Sequence, residues 1–413
     1  MMTPDDSHRI RVLMLIDSFS FGGAEGLLAT LGAAGRAAGL DVVAASLAPR
    51  TPEGTGMEPV LVDAGMPLLT VGVTRLADPL AVSRVAAVIR RSGCDVVHAH
   101  LGYSTILATV AGRLTGVPVV STLHHIPGPA AARARVKEWL SVQLASRSDG
   151  FVFVSDAALR AFADRYRPHR RTWTVIRNGV DLGAFSPRPA TFPRELGIPA
   201  GVPVVTIVAA MRRPKGHATA LAAFASVLHR VPQARLLLVG NGPEKHRLRS
   251  LAAGPPLGDR VVFAGMRRDV SRLLQATTLA LLPSHTEALP TSLIEAAACG
   301  RAAVATRVGG TSEVIDDGVT GVLVPPGDPT SLAAAVTDLL EDEDRRTAMG
   351  SAARQLAEER FDHHRWVREL HALYARAAGM RPPVRAGSPM RRGDLPQDAG
   401  DVTSAHASGR RFT

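Results

Sequence analysis

Short apolar runs, separated by longer segments of mixed and helix-periodic sequence, repeat along almost the whole chain. The first run, residues 10–16, is nearly continuous in apolar residues, as expected of a parallel strand buried on both faces. Similar runs follow at 42–47, 68–73, 95–100, 117–124, 151–155 and 174–177, with Ala/Leu-rich helical segments between them. Alternation at this spacing predicts an α/β fold with a doubly wound parallel sheet. Turn residues then break the rhythm, in Asn178-Gly179-Val180-Asp181 and Phe185-Ser186-Pro187-Arg188-Pro189, and mark a domain boundary. Beyond it the alternation restarts at 203–210, 235–239, 261–264, 279–282, 302–306 and 322–324. This second series predicts a second parallel-sheet domain rather than an extension of the first. Residues 361–377, with Trp366 and Tyr374 on one side, read as a terminal amphipathic helix.

Composition narrows the class without naming a chemistry. A chain of 413 residues is long enough for two domains with full cores. The net charge of +11 points to phosphorylated ligands, an anionic membrane surface or nucleic acid. Part of that excess is local, because six arginines face three aspartates from Arg381 onward, in a Pro/Gly/Ser-rich tail that reads as disordered. The remaining basic residues show none of the interleaved aromatics that stack on nucleobases, so no nucleic-acid partner is expected. The longest uncharged stretch, residues 114–132, contains two histidines and three prolines and cannot span a membrane. Cys94 and Cys299 lack metal-ligand spacing, and Cys299 reads as a small packed hydrophobe. With no basic-then-apolar leader at the N-terminus, a cytoplasmic setting is expected. The segment 131–146 carries Arg133, Arg135, Lys137 and Trp139 on a helix. Such a helix either forms a solvated outer face or lies peripherally on an anionic membrane.

Candidate chemistry gathers where strands end, the place where open parallel sheets bind ligands. The first strand runs into a loop containing Gly22-Gly23-Ala24-Glu25, where glycine lets backbone approach a ligand; it is not the dinucleotide fingerprint. His98, His100, His124 and His125 also fall at strand ends, His98 and His100 on one face. A zinc site there lacks a third ligand, which leaves cleft or structural roles. In the second domain, four successive strand ends carry loops suited to an anion. These are Met211-Arg212-Arg213-Pro214-Lys215-Gly216-His217, Gly240-Asn241-Gly242-Pro243-Glu244, the stretch from Ser284 to Glu295, and Gly309-Gly310-Thr311-Ser312-Glu313. Arginine can grip a diphosphate in bidentate fashion and lysine acts as a point charge. The third loop opens a helix, whose free amides and dipole favour an anion. Pro290 is expected at the first helical position, and Glu295 is expected to face the same mouth as Glu287.

Taken in order, Gly22-Gly23-Ala24-Glu25, Asp95-Val96-Val97-His98-Ala99-His100, Asn178-Gly179-Val180-Asp181, Lys215-Gly216, Gly240-Asn241-Gly242-Pro243, the Glu287/Glu295 pair and Gly318-Val319-Thr320-Gly321 resemble the retaining glycosyltransferases of family 4. The resemblance covers about residues 9–377 and implies the GT-B fold. That fold comprises a Rossmann-like acceptor domain (8–180), a Rossmann-like nucleotide-sugar domain (181–360), a crossover helix (361–377) packing on the first domain, and here a tail (380–413). The implied reaction moves a hexose-type sugar from a nucleoside-diphosphate sugar, with UDP or GDP as carrier, to a hydroxyl acceptor. By the same resemblance Glu287 and His124 contact the transferred sugar, and Lys215 with a nearby arginine holds the diphosphate. Gly23, Gly240, Gly242, Leu289, Thr291 and Ser292 line the donor, while Glu295 binds its ribose. His98, His100 and Glu25 are acceptor-side candidates. Ala210 stands where many members carry an arginine, so Arg212 is taken in its place, with Arg213 as the other option. Ala288 stands where glycine is common. Cations and helix-end amides can neutralise a departing diphosphate, and no Asp-x-Asp pair of the kind metal-dependent transferases use is read in the chain, so neither metal nor cofactor is expected. A sugar-nucleotide epimerase, or a binding module without turnover, would use the same donor site.

Overall fold

The computed structural model describes residues 9–20, 23–49, 56–73, 78–128, 131–166 and 171–380, with the side chains of residues 23–25 outside the description. The basic tail from Arg381 lies outside the described residues. Among the described residues, thirteen strands form two all-parallel sheets. The first contains β1 (Ile10–Ile16), β2 (Leu40–Ser46), β3 (Leu68–Thr70), β4 (Val96–His100), β5 (Val119–Leu123), β6 (Gly150–Phe153) and β7 (Trp173–Val175), in the order β3-β2-β1-β4-β5-β6-β7. The second contains β8 (Val204–Val208), β9 (Arg235–Val239), β10 (Val261–Gly265), β11 (Leu279–Leu282), β12 (Ala303–Thr306) and β13 (Gly321–Val324), in the order β10-β9-β8-β11-β12-β13. Each apolar run of the sequence is one of these strands. The side chains of the inner strands are buried on both faces, Val12 to Ile16 throughout, which is why those runs are continuous rather than alternating; the outer strands β3, β7 and β10 are partly exposed.

Strand order reverses between β1 and β4 in one sheet and between β8 and β11 in the other. Reversal splays the connecting helices to opposite faces and opens a crevice at the strands' carboxyl ends. The loops after β1, β4, β8 and β11 border those crevices, and they hold most of the candidate residues.

The helix His363–Ala377 belongs to the core of the first sheet. Its Trp366, Val367, Leu370, Leu373 and Tyr374 pack with Ile10, Val12, Met14, Val96, Val120 and Val152. The chain passes between sheets twice, side by side. Val180 N donates to Phe361 O at 2.8 Å and His363 N to Val180 O at 3.2 Å.

Two local readings change. Pro290 caps the helix Thr291–Ala298 instead of opening it, with φ −78° and ψ 93°; its extended backbone lets its carbonyl accept from both Leu293 N and Ile294 N. In the helix Ala132–Ala145, Lys137 is not part of a freely exposed basic set. Its Nζ sits 4.1 Å from the ring centre of Tyr103, a cation–π contact. Arg133, Arg135, Val136 and Trp139 remain exposed.

Candidate functional site

Glu287 is the centre of the second sheet's crevice. Its side chain is buried, 7% exposed, and Oε1 accepts from Lys215 Nζ at 2.6 Å and from Ser284 Oγ at 2.6 Å. A carboxylate leaves water only when paired, and the loops after β8 and β11 supply both donors. Lys215 keeps about a third of its side-chain surface, 31%, in contact with solvent. It can therefore serve Glu287 and an incoming anion together.

The loop positions follow from backbone contacts that only glycine permits. A Cβ on Gly216, at φ +67°, would lie 1.8 Å from Pro283 O, and one on Gly309, at φ +47°, 1.9 Å from Glu287 O. His285 N donates to Pro214 O, and Gly310 N to Glu287 O. The loops after β8, β11 and β12 are thus laced together backbone to backbone. Gly240 and Gly242 belong to the same lacing, since a Cβ there would approach Ala209 O and Met211 O within 2.2 and 2.5 Å. Their first duty is to let the loop after β9 nest on the loop after β8.

At the start of the helix Thr291–Ala298, the amides of Leu289, Thr291 and Ser292 have no partner among the described residues. They form an anion-accepting end beside Lys215 and Glu287. Glu295 is partly exposed; its backbone carbonyl accepts from Cys299 N at 3.1 Å, and its carboxyl has no hydrogen-bond partner among the described residues. Burial pushes its carboxyl up to about 8, so it is protonated at neutral pH. It shares no hydrogen bond with Glu287, whose carboxylate is held by Lys215 and Ser284.

Arg212 is exposed and forms no ion pair among the described residues, whereas Arg213 pairs with Glu244 at 3.5 Å. A concavity of about 300 Å³ is bordered by Arg212, Arg213, Gly216, His217, Glu244 and His285. His217 ends the first of the anion-suited loops, where the sequence assigns it no role of its own. It is buried with both ring nitrogens unpartnered, and burial, with Lys215 beside it, lowers its pKa to about 4. A larger hollow of about 610 Å³ involves Asp95, Val117, Pro118 and Asp149. These residues precede β4, β5 and β6, so it lies at the wrong end of the strands for the usual ligand site.

On the first sheet the histidines divide. His98 is closed inside the domain, its Nδ1 2.6 Å from Tyr374 Oη and its Nε2 2.7 Å from Thr122 Oγ1. It shares a face with His100, as the alternation predicts, and both are buried. His100 Nδ1 instead meets His124 Nε2 at 2.9 Å, and His124 is partly exposed beyond β5. Burial keeps all three imidazoles neutral, with His98 lowered to about 3 and His124 to about 4. His100 thus backs His124, while His98 is held by Tyr374 and Thr122. Gly23 and Glu25 lie in the first turn of the helix Gly23–Gly35, and the side chain of Glu25 is outside the described residues.

Two neighbours escaped the sequence reading. Asp17, at the end of β1, accepts from Ser104 N and Oγ at 2.9 and 2.7 Å, and burial raises its pKa. Leu101, directly after His100, has φ +72°, a conformation that side chains avoid and that clusters at functional sites. As for cations, Asp342-Glu343-Asp344 is an Asp-x-Asp pair, but it lies at a helix junction, where Asp342 caps the helix Glu343–Arg360. The Asp362-His363-His364 group has ligand atoms close enough to hold a metal, and it sits at the crossing by Val180 rather than at Glu287.

Comparison with known proteins agrees with this geometry. Residues 21–184 match the model described as Glycosyltransferase Family 4, and residues 190–356 match that of Glycosyl transferases group 1. The chain is 31% identical over 301 residues to N-acetyl-alpha-D-glucosaminyl L-malate synthase of Bacillus anthracis, covering 72% of this chain and 78% of that one. It is 33% identical over 291 residues to D-inositol 3-phosphate glycosyltransferase of Acidothermus cellulolyticus, covering 63% of each. Among solved structures, HepE of Anabaena in complex with UDP superposes with a TM-score of 0.74 at 25% identity, covering 88% of this chain and 98% of that one. The sucrose-phosphate synthase of Thermosynechococcus elongatus superposes with the same score at 24% identity, covering 89% and 98%.

Proposed function

This chain belongs to the family 4 type of GT-B glycosyltransferases, and we propose that it moves a hexose-type sugar from a nucleoside-diphosphate sugar to a hydroxyl acceptor with retention of configuration and without a metal. The observation that carries this reading is the buried Glu287–Lys215 pair beside unpartnered helix-end amides, at the second sheet's switch point. In this reading Lys215, Arg212 and the amides of Leu289, Thr291 and Ser292 take the diphosphate, with Gly23 approaching it from the first sheet. Glu287 and neutral His124 hold the sugar's hydroxyls. Protonated Glu295 binds a ribose hydroxyl. The bond from the sugar's C1 to the phosphate oxygen breaks, the acceptor oxygen bonds C1 on the same face, and its proton passes to the departing diphosphate. Fixed cations and amides stabilise that departing charge in a partly dry site, where they act more strongly than in water.

The complex of HepE with UDP supports a uridine carrier ahead of guanosine. At 100 times its Kd, UDP is expected to stabilise the fold by about 2.7 kcal/mol, with EDTA present. Thermal shifts against UDP, GDP and ADP measure this; a protein stabilised by none of them, or by UDP only with added divalent metal, would overturn the reading.

Peripheral attachment to an anionic membrane belongs to the same proposal. No helix among the described residues is long and apolar enough to cross a bilayer, but the helix Ala132–Ala145 exposes Val136 and Trp139 at 64% and 52% beside Arg133 and Arg135. Apolar insertion flanked by cations suits such a surface. Co-sedimentation should favour phosphatidylglycerol vesicles over phosphatidylcholine and weaken severalfold in Trp139→Ala. Equal recovery with both lipids would remove the membrane from the account.

A further inference from the structure

The turn that supports Glu287 from below also reaches across to the other half of the molecule. It is the short helical segment Gly309–Glu313 after β12. At one end Gly310 N holds Glu287 O. At the other, the Glu313 carboxylate leaves its own sheet and caps the helix Asp156–Tyr166 of the first half. Oε1 accepts from Ala157 N at 2.9 Å, and Oε2 accepts from Asp156 N at 3.2 Å. Arg177, also of the first half, donates to the same carboxylate through Nε at 3.0 Å and places a second guanidinium nitrogen 2.9 Å away. Its guanidinium bonds Asp156 as well.

A carboxylate at a helix N-terminus satisfies amides that the helix cannot, and it ordinarily comes from the same segment of chain. Here it comes from residue 313 and serves residues 156 and 157. The side chain is only 13% exposed, so its charge depends on these donors. A second bond runs in parallel. Ser155 Oγ donates to Ala288 O at 2.6 Å, fully buried, and receives Ala158 N at 3.0 Å. The helix end of the first half is therefore fastened both to the turn and to the residue next to Glu287. Ile126 packs against Gly309, within a core cluster that includes Leu123, Phe153, Ala288 and Leu289 from both halves.

We infer that Glu313, with Arg177, is a positioning residue for transfer: it clasps the acceptor-side half onto the loop that carries Glu287, so that closing the cleft and setting the sugar-holding carboxylate are one event. The kinetic arm rests on the proposed transferase reaction; the structural arm does not. The clasp does not enter the donor crevice, so the donor should bind without it.

The variants are Glu313→Ala and Arg177→Ala, the latter removing the clasp's cation from the other half and leaving the turn intact. In both, the solution radius of gyration from X-ray scattering should exceed that of the wild type, UDP affinity by calorimetry should stay within twofold, and kcat should fall at least tenfold. Wild-type scattering and kcat in either folded variant overturn the clasp. So does a loss of UDP binding in step with thermal stability, which is the mark of a residue that merely holds the second sheet together. A wild-type protein that binds no nucleoside diphosphate would remove the transferase reading, and the scattering comparison would still decide the clasp.

Discussion

Replacing Glu287 by alanine is expected to lower kcat by about two to three orders of magnitude, the range found when one preorganised electrostatic group is removed from an active site. The expectation follows from the way the carboxylate is held. Two donors at 2.6 Å fix one of its oxygens, which on the proposed reading leaves the other to meet a hydroxyl of the sugar. Glu287→Gln keeps the shape and loses the charge, so it should recover only a small part of the rate. The loss should fall on kcat more than on nucleotide affinity, because the helix-end amides and Arg212 do not depend on Glu287. Lys215→Ala should cost a comparable factor and weaken UDP as well. The double variant should be little worse than the poorer single one, since residues in direct contact are not additive. Glu287→Ala should change stability little, about 1 kcal/mol, because Lys215 remains partly solvated, whereas Lys215→Ala strands a buried carboxylate and should cost about 3 kcal/mol. Steady-state kinetics of the four proteins with one donor measures all of this. A Glu287→Ala protein with wild-type kcat would remove the residue from the mechanism. Rescue by small anions together with a trapped glycosyl-enzyme would make it a nucleophile instead.

What the sequence revealed and what it hid have a common physical origin. Parallel strands buried on both faces are dominated by apolar residues, and the partly exposed outer strands are short apolar runs too, so every strand of both sheets was visible as a run, and the order of the runs carried the fold. The anion-accepting loops were legible because glycine and cations at strand ends are few and stand together. Roles inside those loops were less so. Gly240 and Gly242 look like ligand-contacting glycines, and the structure shows the backbone approach that requires them, which no one-dimensional pattern distinguishes. His98 and His100 alternate as a ligand pair would, but the partners that enclose His98 come from Thr122 and from Tyr374, the latter 276 positions away. Glu313 reads as the end of a glycine turn because the helix it caps lies earlier in the chain by more than 150 residues. Long-range polar pairing of this kind leaves no period to read.

The lacing of the loops leads to the second large effect, at Gly309. Alanine there should destabilise the protein by at least about 3 kcal/mol and abolish most activity. Two costs add. A left-handed backbone, φ +47°, costs a side chain ~1–2 kcal/mol by itself. The new methyl would also fall 1.9 Å from Glu287 O and 2.5 Å from Ile126 Cδ1, and a backbone carbonyl cannot rotate aside as a side chain can. Gly318 separates the two costs. It has a similar backbone, φ +78°, with nothing within 4 Å of where an added methyl would sit, so Gly318→Ala should show the conformational cost alone and keep its kcat. The contact is not confined to stability, because relieving it pushes the loop that aims Glu287. Even where the fold survives, then, the rate should not. Urea unfolding midpoints and kcat for both variants test the argument. Equal losses at the two glycines would mean that the approach to Glu287 O contributes nothing, and an active Gly309→Ala protein would mean that the loop is free to choose its position.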